Sequence, residues 1–192
     1  YEMHNITINS VDFNSPDLDT GKSDFDESEM SEQLVRAVDE IIQPMLDIVG
    51  NRKTLIFCVN RAMSKAVSAR LNSKYQADSA KWIDGSLQMD ERKLILDQHK
   101  DNEYQFLCCV QLCVEGYNDP EIGAIVMAAP TKMISRVIQK IGRGCRALKG
   151  LFTGKETKEE RLAKIAASDK PNCLVIDLVG STGLAGAKTA AD

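Results

Sequence analysis

The chain has 192 residues, 43% hydrophobic and 27% charged, with no apolar stretch near the ~20 residues a membrane span requires. This length supports one good core with room for an appendage. The net charge of -4 hides an asymmetry: residues 1–50 hold 12 acidic and 2 basic side chains, and residues 51–192 hold 16 acidic and 22 basic.

Residues 1–8 alternate in polarity like a strand, and the polar stretch 14–28, with Pro16 and Gly21, reads as an exposed linker. Leu34, Val35, Val38, Ile41, Ile42 and Met45 then recur at helical spacing. Ser31 is placed to cap that helix and Pro44 to end or kink it. From Lys53 onward strands and helices alternate. Residues 54–59 form a continuous apolar run of the kind buried on both faces of a parallel sheet, and the next helix shows Met63, Ala66, Val67 and Leu71 on one side. Residues 80–83, 104–110, 124–128 and 173–179 read as further strands, and 89–100, 133–141 and 156–167 as helices. This alternation predicts a parallel sheet covered on both faces, with ligands gathered at the carboxyl ends of the strands. The expected organisation is an acidic lead-in over 1–50 packing on the core, a main domain over 51–180, and a flexible tail over 181–192.

Six cysteines do not amount to a disulfide or zinc framework. Cys58, Cys108, Cys109 and Cys173 lie inside apolar strand-like runs, and no paired C-x-x-C spacing exists, so no metal site is assigned. His4 and His99 stand far apart and receive no role. No basic segment followed by an apolar one argues for export, which points to the cytoplasm, and the opening Tyr1 reads as the start of a piece cut from something longer.

Four segments carry chemistry. Gln139-Lys140-Ile141-Gly142-Arg143-Gly144-Cys145-Arg146 places two guanidiniums three residues apart, each a rigid fork of donors suited to phosphate. Standing alone, such a pair also fits a solvated helix face, as does the stripe of ten Lys/Arg against three Glu over residues 132–164. Glu115-Gly116-Tyr117-Asn118-Asp119-Pro120 forms a tight polar turn in which Gly116 supplies backbone freedom; a plain turn without ligand is the competing reading. Asn60-Arg61 follows the first apolar strand, where a helix N-terminus can hold a phosphate or Asn60 can simply cap the helix. Asp84-Gly85-Ser86 precedes the next helix, at whose start Asp90-Glu91-Arg92 stand.

In this order, over residues 53–180, the four segments resemble the C-terminal RecA-like domain of superfamily 2 helicases and translocases. The Glu115–Pro120 string and Ala129-Pro130-Thr131-Lys132 resemble the branch containing type I restriction motors and XPB-like helicases. The resemblance implies a RecA-like parallel sheet with helices on both faces, preceded by an acidic strand-linker-helix segment. It implies Arg143 and Arg146 as arginine fingers, with Gln139, Gly116, Asn118 and Gly142 at ATP. It implies Asn60, Arg61, Gly85 and Gln111 on a nucleic-acid track, with DNA ahead of RNA and no membrane. Two positions depart from the family pattern: Asn118 stands where Asp is usual, and Val110 where many relatives have Thr. The Asn118 amide oxygen can still accept a hydroxyl hydrogen bond.

No G-x-x-x-x-G-K-[ST] loop is present, for Thr20-Gly21-Lys22-Ser23 lacks the earlier glycine, and there is no acidic box for Mg2+. The resemblance therefore implies a second motor domain whose ATP and Mg2+ are bound mainly by an N-terminal RecA-like domain of the same protein, so the fragment alone is expected to be inactive. The alternative is a catalytically idle nucleic-acid or protein-binding module that retains the fold. A dinucleotide enzyme is set aside, because Gly142 and Gly144 are not in a first strand-to-helix turn.

Overall fold

The computed structural model describes residues 1–6, 8, 27–110, 116–129, 131 and 133–178. A short strand, β1 (Glu2–Asn5), precedes two helices, α1 (Glu27–Arg36) and α2 (Val38–Val49). β2 (Thr54–Cys58), α3 (Arg61–Lys74), β3 (Ala80–Ile83), α4 (Met89–Lys100) and β4 (Phe106–Val110) then alternate. β5 (Ala124–Met127), α5 (Ile134–Gly144), α6 (Lys158–Ala166) and β6 (Leu174–Asp177) follow. All six strands join one parallel sheet in the order β1-β6-β5-β2-β4-β3.

Every residue of β2, β5 and β6 is buried, which is why these segments read as apolar runs, with Thr54 and Asp177 as buried polar exceptions, rather than as alternating ones. Successive side chains nevertheless go to opposite faces. Ile56, Cys58, Phe106, Cys108 and Val126 pack with α1, α2 and α3, whereas Leu55, Phe57, Leu107, Cys109 and Met127 pack with α4 and α5. Cys58, Cys108, Cys109 and Cys173 are buried and pack as small hydrophobes. β1 pairs with β6 at the sheet edge, Glu2 opposite Leu174, so the lead-in adds a strand to the same sheet.

The single helix expected around residue 38 is two helices, and the break falls at Ala37 rather than at Pro44. Pro44 lies inside α2, and Ile41, Ile42, Met45 and Val49 are buried on either side of it. Losing one N–H at Pro44 is tolerated because that apolar stripe keeps its contact with the core. Ser31 does not cap the helix; it sits within α1, and its hydroxyl donates to Asn60 Oδ1 at 2.8 Å. α6 begins later than the periodicity indicates, because Thr157 and Glu160 form a reciprocal capping box. It buries none of its residues. Among the described residues no helix is long and apolar enough to cross a membrane.

Candidate functional site

At the carboxyl ends of β2 and β3, Asn60, Arg61 and Gly85 come together. Asn60 is the N-cap of α3: its Oδ1 accepts the Met63 N–H at 3.1 Å and also the Ser31 hydroxyl, so both lone pairs are engaged. The cap reading of Asn60 is thus realised, with its amide N–H groups left to donate. Arg61, with about half of its side chain exposed, pairs through Nε with the buried carboxylate of Asp84. Asp84 also accepts the Ser86 N–H at 2.9 Å and the Ser86 hydroxyl at 2.6 Å. Burial raises the Asp84 pKa, but the hydrogen bonds from Ser86 and Arg61 outweigh it and hold the carboxyl below its ordinary value. Gly85 is exposed, and the space where a Cβ would stand is open. Gln111 lies outside the described residues.

The remaining candidates sit at the opposite end of the sheet. α5 starts at the carboxyl end of β5 and runs back across the face; its 11 residues span about 16 Å. It ends beside the start of the strands. A Cβ on Gly144 would lie 2.8 Å from Ile125 Cγ1 and closer still to Cys173 Sγ, so only glycine permits this approach of helix to sheet. Of the candidate residues, Asn60, Arg61 and Gly85 thus stand at the carboxyl ends of the strands, and the arginine pair does not. The antiparallel return of α5 carries Arg143 and Arg146 to the amino ends.

On α5, Gln139 and Gly142 are exposed, and Arg143 is half-buried. Arg143 Nη1 donates to the Tyr117 carbonyl at 3.1 Å, leaving the rest of its fork for another acceptor. Arg146 follows the helix and is half-buried. Lys140, read only as part of the basic string, is buried and donates through Nζ to the Ala129 carbonyl at 3.1 Å.

The 116–121 turn that meets Arg143 alternates outward and inward. Gly116, at φ +78°, adopts the left-handed backbone that favours glycine. Asn118 is exposed between buried Tyr117 and Asp119. Asp119 Oδ2 accepts from Lys53 Nζ at 2.9 Å, in an ion pair whose partners are each 5% exposed. Lys53 also donates to the Lys100 carbonyl at 3.0 Å and to Glu121 at 3.2 Å. The Tyr117 hydroxyl lies 2.7 Å from Nδ1 of His99, which is fully buried. Burial, aided by the Lys53 charge, pushes the His99 pKa down to about 4, so the ring is neutral and has one N–H. The Gln105 carbonyl, 3.4 Å from Nε2, can only accept, which assigns that proton to Nε2 and leaves Nδ1 to accept from Tyr117. His99 and Lys53 thus have structural roles that the sequence alone did not reveal. Their partners lie 18 and 66 residues away, and no local pattern marks such pairs.

The exposed side chain of Asn118 and the part of the Arg143 fork that Tyr117 does not use form a donor-bearing rim suited to an anion. Among the described residues no group of three His, Cys, Asp or Glu side chains could hold a metal ion.

A six-stranded parallel sheet covered by helices on both faces, with this rim at one end and a second polar rim at the other, defines the RecA-like α/β class. Residues 33–148 match the family described as the helicase conserved C-terminal domain, and the chain belongs to that family. It is 26% identical over 138 residues to the putative ATP-dependent helicase IRC3 of Saccharomyces cerevisiae, an alignment covering 69% of this chain and 16% of that protein. It is 28% identical over 95 residues to nucleolar RNA helicase 2-B of Xenopus laevis, covering 50% of this chain and 12% of that protein. The chain thus spans well under a quarter of these relatives. Among solved structures, a fragment of a putative HsdR subunit of a type I restriction enzyme from Vibrio vulnificus shares the fold over 97% of this chain and 33% of that one, with TM-score 0.63 and 19% identity. Domain 2 of the Mss116p DEAD-box helicase bound to an RNA duplex covers 78% of this chain and 50% of that one, with TM-score 0.52 and 17% identity.

Proposed function

We propose that this chain is the second motor domain of an ATP-dependent nucleic-acid helicase or translocase, nearest the type I restriction branch. Arg143 and Arg146 face the terminal phosphate of ATP, Gln139 and Gly142 border the nucleotide, and Asn118 with Gly116 lies at the ribose. The observation that carries this reading is the Arg143–Tyr117 hydrogen bond, which brings the arginine segment and the Gly116–Asn118 turn to one rim. Asn60, Arg61, Gly85 and Gln111 form part of a track for nucleic acid, with DNA ahead of RNA. An N-terminal RecA-like domain of the same protein supplies the phosphate loop and the Mg2+ ligands. Mg2+ held by that domain would supply charge neutralisation on the phosphates.

In the mechanism this implies, the two guanidiniums stabilise charge on the transferring phosphate as the cleft between the domains closes. Reopening after hydrolysis shifts the rim holding Asn60 and Arg61 relative to the first domain, and so moves the strand. The test is ATPase activity of the full-length protein with single-stranded DNA, duplex DNA or RNA. Stimulation by DNA above RNA supports the reading. A full-length protein with no phosphate loop and no ATPase would overturn it in favour of an idle binding module.

A further inference from the structure

Lys170 lies between α6 and β6, outside the four polar segments assigned to ATP or nucleic acid. Its ammonium has three N–H donors and makes three hydrogen bonds, all to main-chain carbonyls: Pro120 at 2.6 Å, Gly144 at 2.7 Å and Arg146 at 2.8 Å. One acceptor closes the turn that presents Gly116 and Asn118. The other two come from the end of α5 and the residue carrying the second guanidinium.

The last carbonyls of a helix lack intrahelical partners, and a cation there is favoured by the helix dipole, so the amino group both caps α5 and ties that cap to the turn. The same turn is gripped from its other side, where Lys53 pairs with Asp119. It is therefore held between two ammoniums, and only Lys170 also holds the arginine segment. Burial lowers the Lys170 pKa, while the nearby Cys173, Cys145 and Asp119 oppose that shift.

We propose that Lys170 is a positioning residue for nucleotide turnover: by clasping Pro120, Gly144 and Arg146 together, it sets the spacing between the ribose-facing turn and the phosphate-facing arginines. Neither the arginine pair nor the turn can shift independently while the clasp holds. This rests on the reading of Arg146 as phosphate-facing. A lost clasp loosens alignment at the transition state more than ground-state binding, so kcat falls while the KM for ATP changes little.

The experiment compares K170M, K170R, R146A and the K170M/R146A double variant in the full-length protein, with kcat and KM measured under nucleic-acid stimulation. K170M is expected to lower kcat about tenfold or more with KM within about threefold of wild type. K170R keeps charge and donors and should recover most of that loss. Adding K170M to R146A should lower kcat by less than K170M does alone, because part of the Lys170 effect acts through Arg146. If K170M keeps wild-type kcat while R146A is inactive, the Lys170 proposal fails and the arginine reading stands. If R146A retains activity, the arginine reading fails and takes this proposal with it. Amide hydrogen exchange on the same K170M protein guards against simple unfolding: faster exchange at 116–120 and 144–146 with an unchanged sheet supports the clasp, and faster exchange throughout the sheet overturns it.

Discussion

Arg143 and Tyr117, 26 residues apart, are joined by a single hydrogen bond from guanidinium to main-chain carbonyl. Since the carbonyl belongs to the backbone, no change of side chain at position 117 removes it. The constraint on Arg143 therefore depends on where the 116–121 turn is held, and that is decided by Lys53, Asp119, His99 and Lys170.

The arginine pair is the first point to test. In the full-length protein, Arg146→Ala should nearly abolish nucleic-acid-stimulated ATPase, by an amount on the order of 10³–10⁵ if it acts as a finger. Arg143→Lys keeps charge but loses the planar fork, and should reduce turnover substantially. Circular dichroism and melting temperature should stay near wild type in both. Activity retained by Arg146→Ala would return the pair to a solvated helix face.

Asn118 is exposed on a turn whose neighbours are buried, so its side chain is available to a ligand. Asn118→Ala should raise the KM for ATP more than it lowers kcat, since a ribose contact is present in ground and transition states alike. An unchanged KM would leave the turn a purely structural element.

Lys53 and Asp119 form a buried ion pair between the start of β2 and the turn. Lys53→Met alone leaves a buried carboxylate without its main partner and should destabilise the chain by about 3–5 kcal/mol in denaturant unfolding. Lys53→Met with Asp119→Leu removes both charges and should recover much of that loss. A double variant no more stable than Lys53→Met would show that the pair is not the reason for the loss.

His99 gives the fold a defined pH dependence. Its pKa falls from 6.5 to about 4 on folding, so between those values the unfolded chain binds a proton that the folded chain does not. Stability should therefore decrease as pH falls from about 6.5 to about 4, by a contribution on the order of 3 kcal/mol, and this contribution should level off below that window. His99→Phe fills the ring position, lets the Tyr117 hydroxyl turn its one proton to Asp119 Oδ2, 3.3 Å away, and should flatten this part of the pH profile. A profile equally steep in the variant would assign the acid sensitivity to other groups.

The amino-acid sequence by itself marked the strand segments at 54–59, 104–110, 124–128 and 173–179, within which β2, β4, β5 and β6 lie, because a strand buried on both faces is apolar over most of its length. It also determined the order of the four polar segments, since each is a short local string at the end of an element. It placed the helix break at Pro44, whereas the break is at Ala37, because burial of Ile41, Ile42 and Met45 holds the helix across proline. Tertiary structure alone decided the rest. Strand order put β6 beside β5 and β1 at the edge, and the antiparallel return of α5 moved the arginines to the amino ends of the sheet. Lys170, 50 residues from Pro120 and 24 from Arg146, looks in sequence like one more surface lysine. Periodicity and turn chemistry are local properties of a chain, whereas the partner of a buried cation is set by which distant segments the sheet order brings within hydrogen-bond reach.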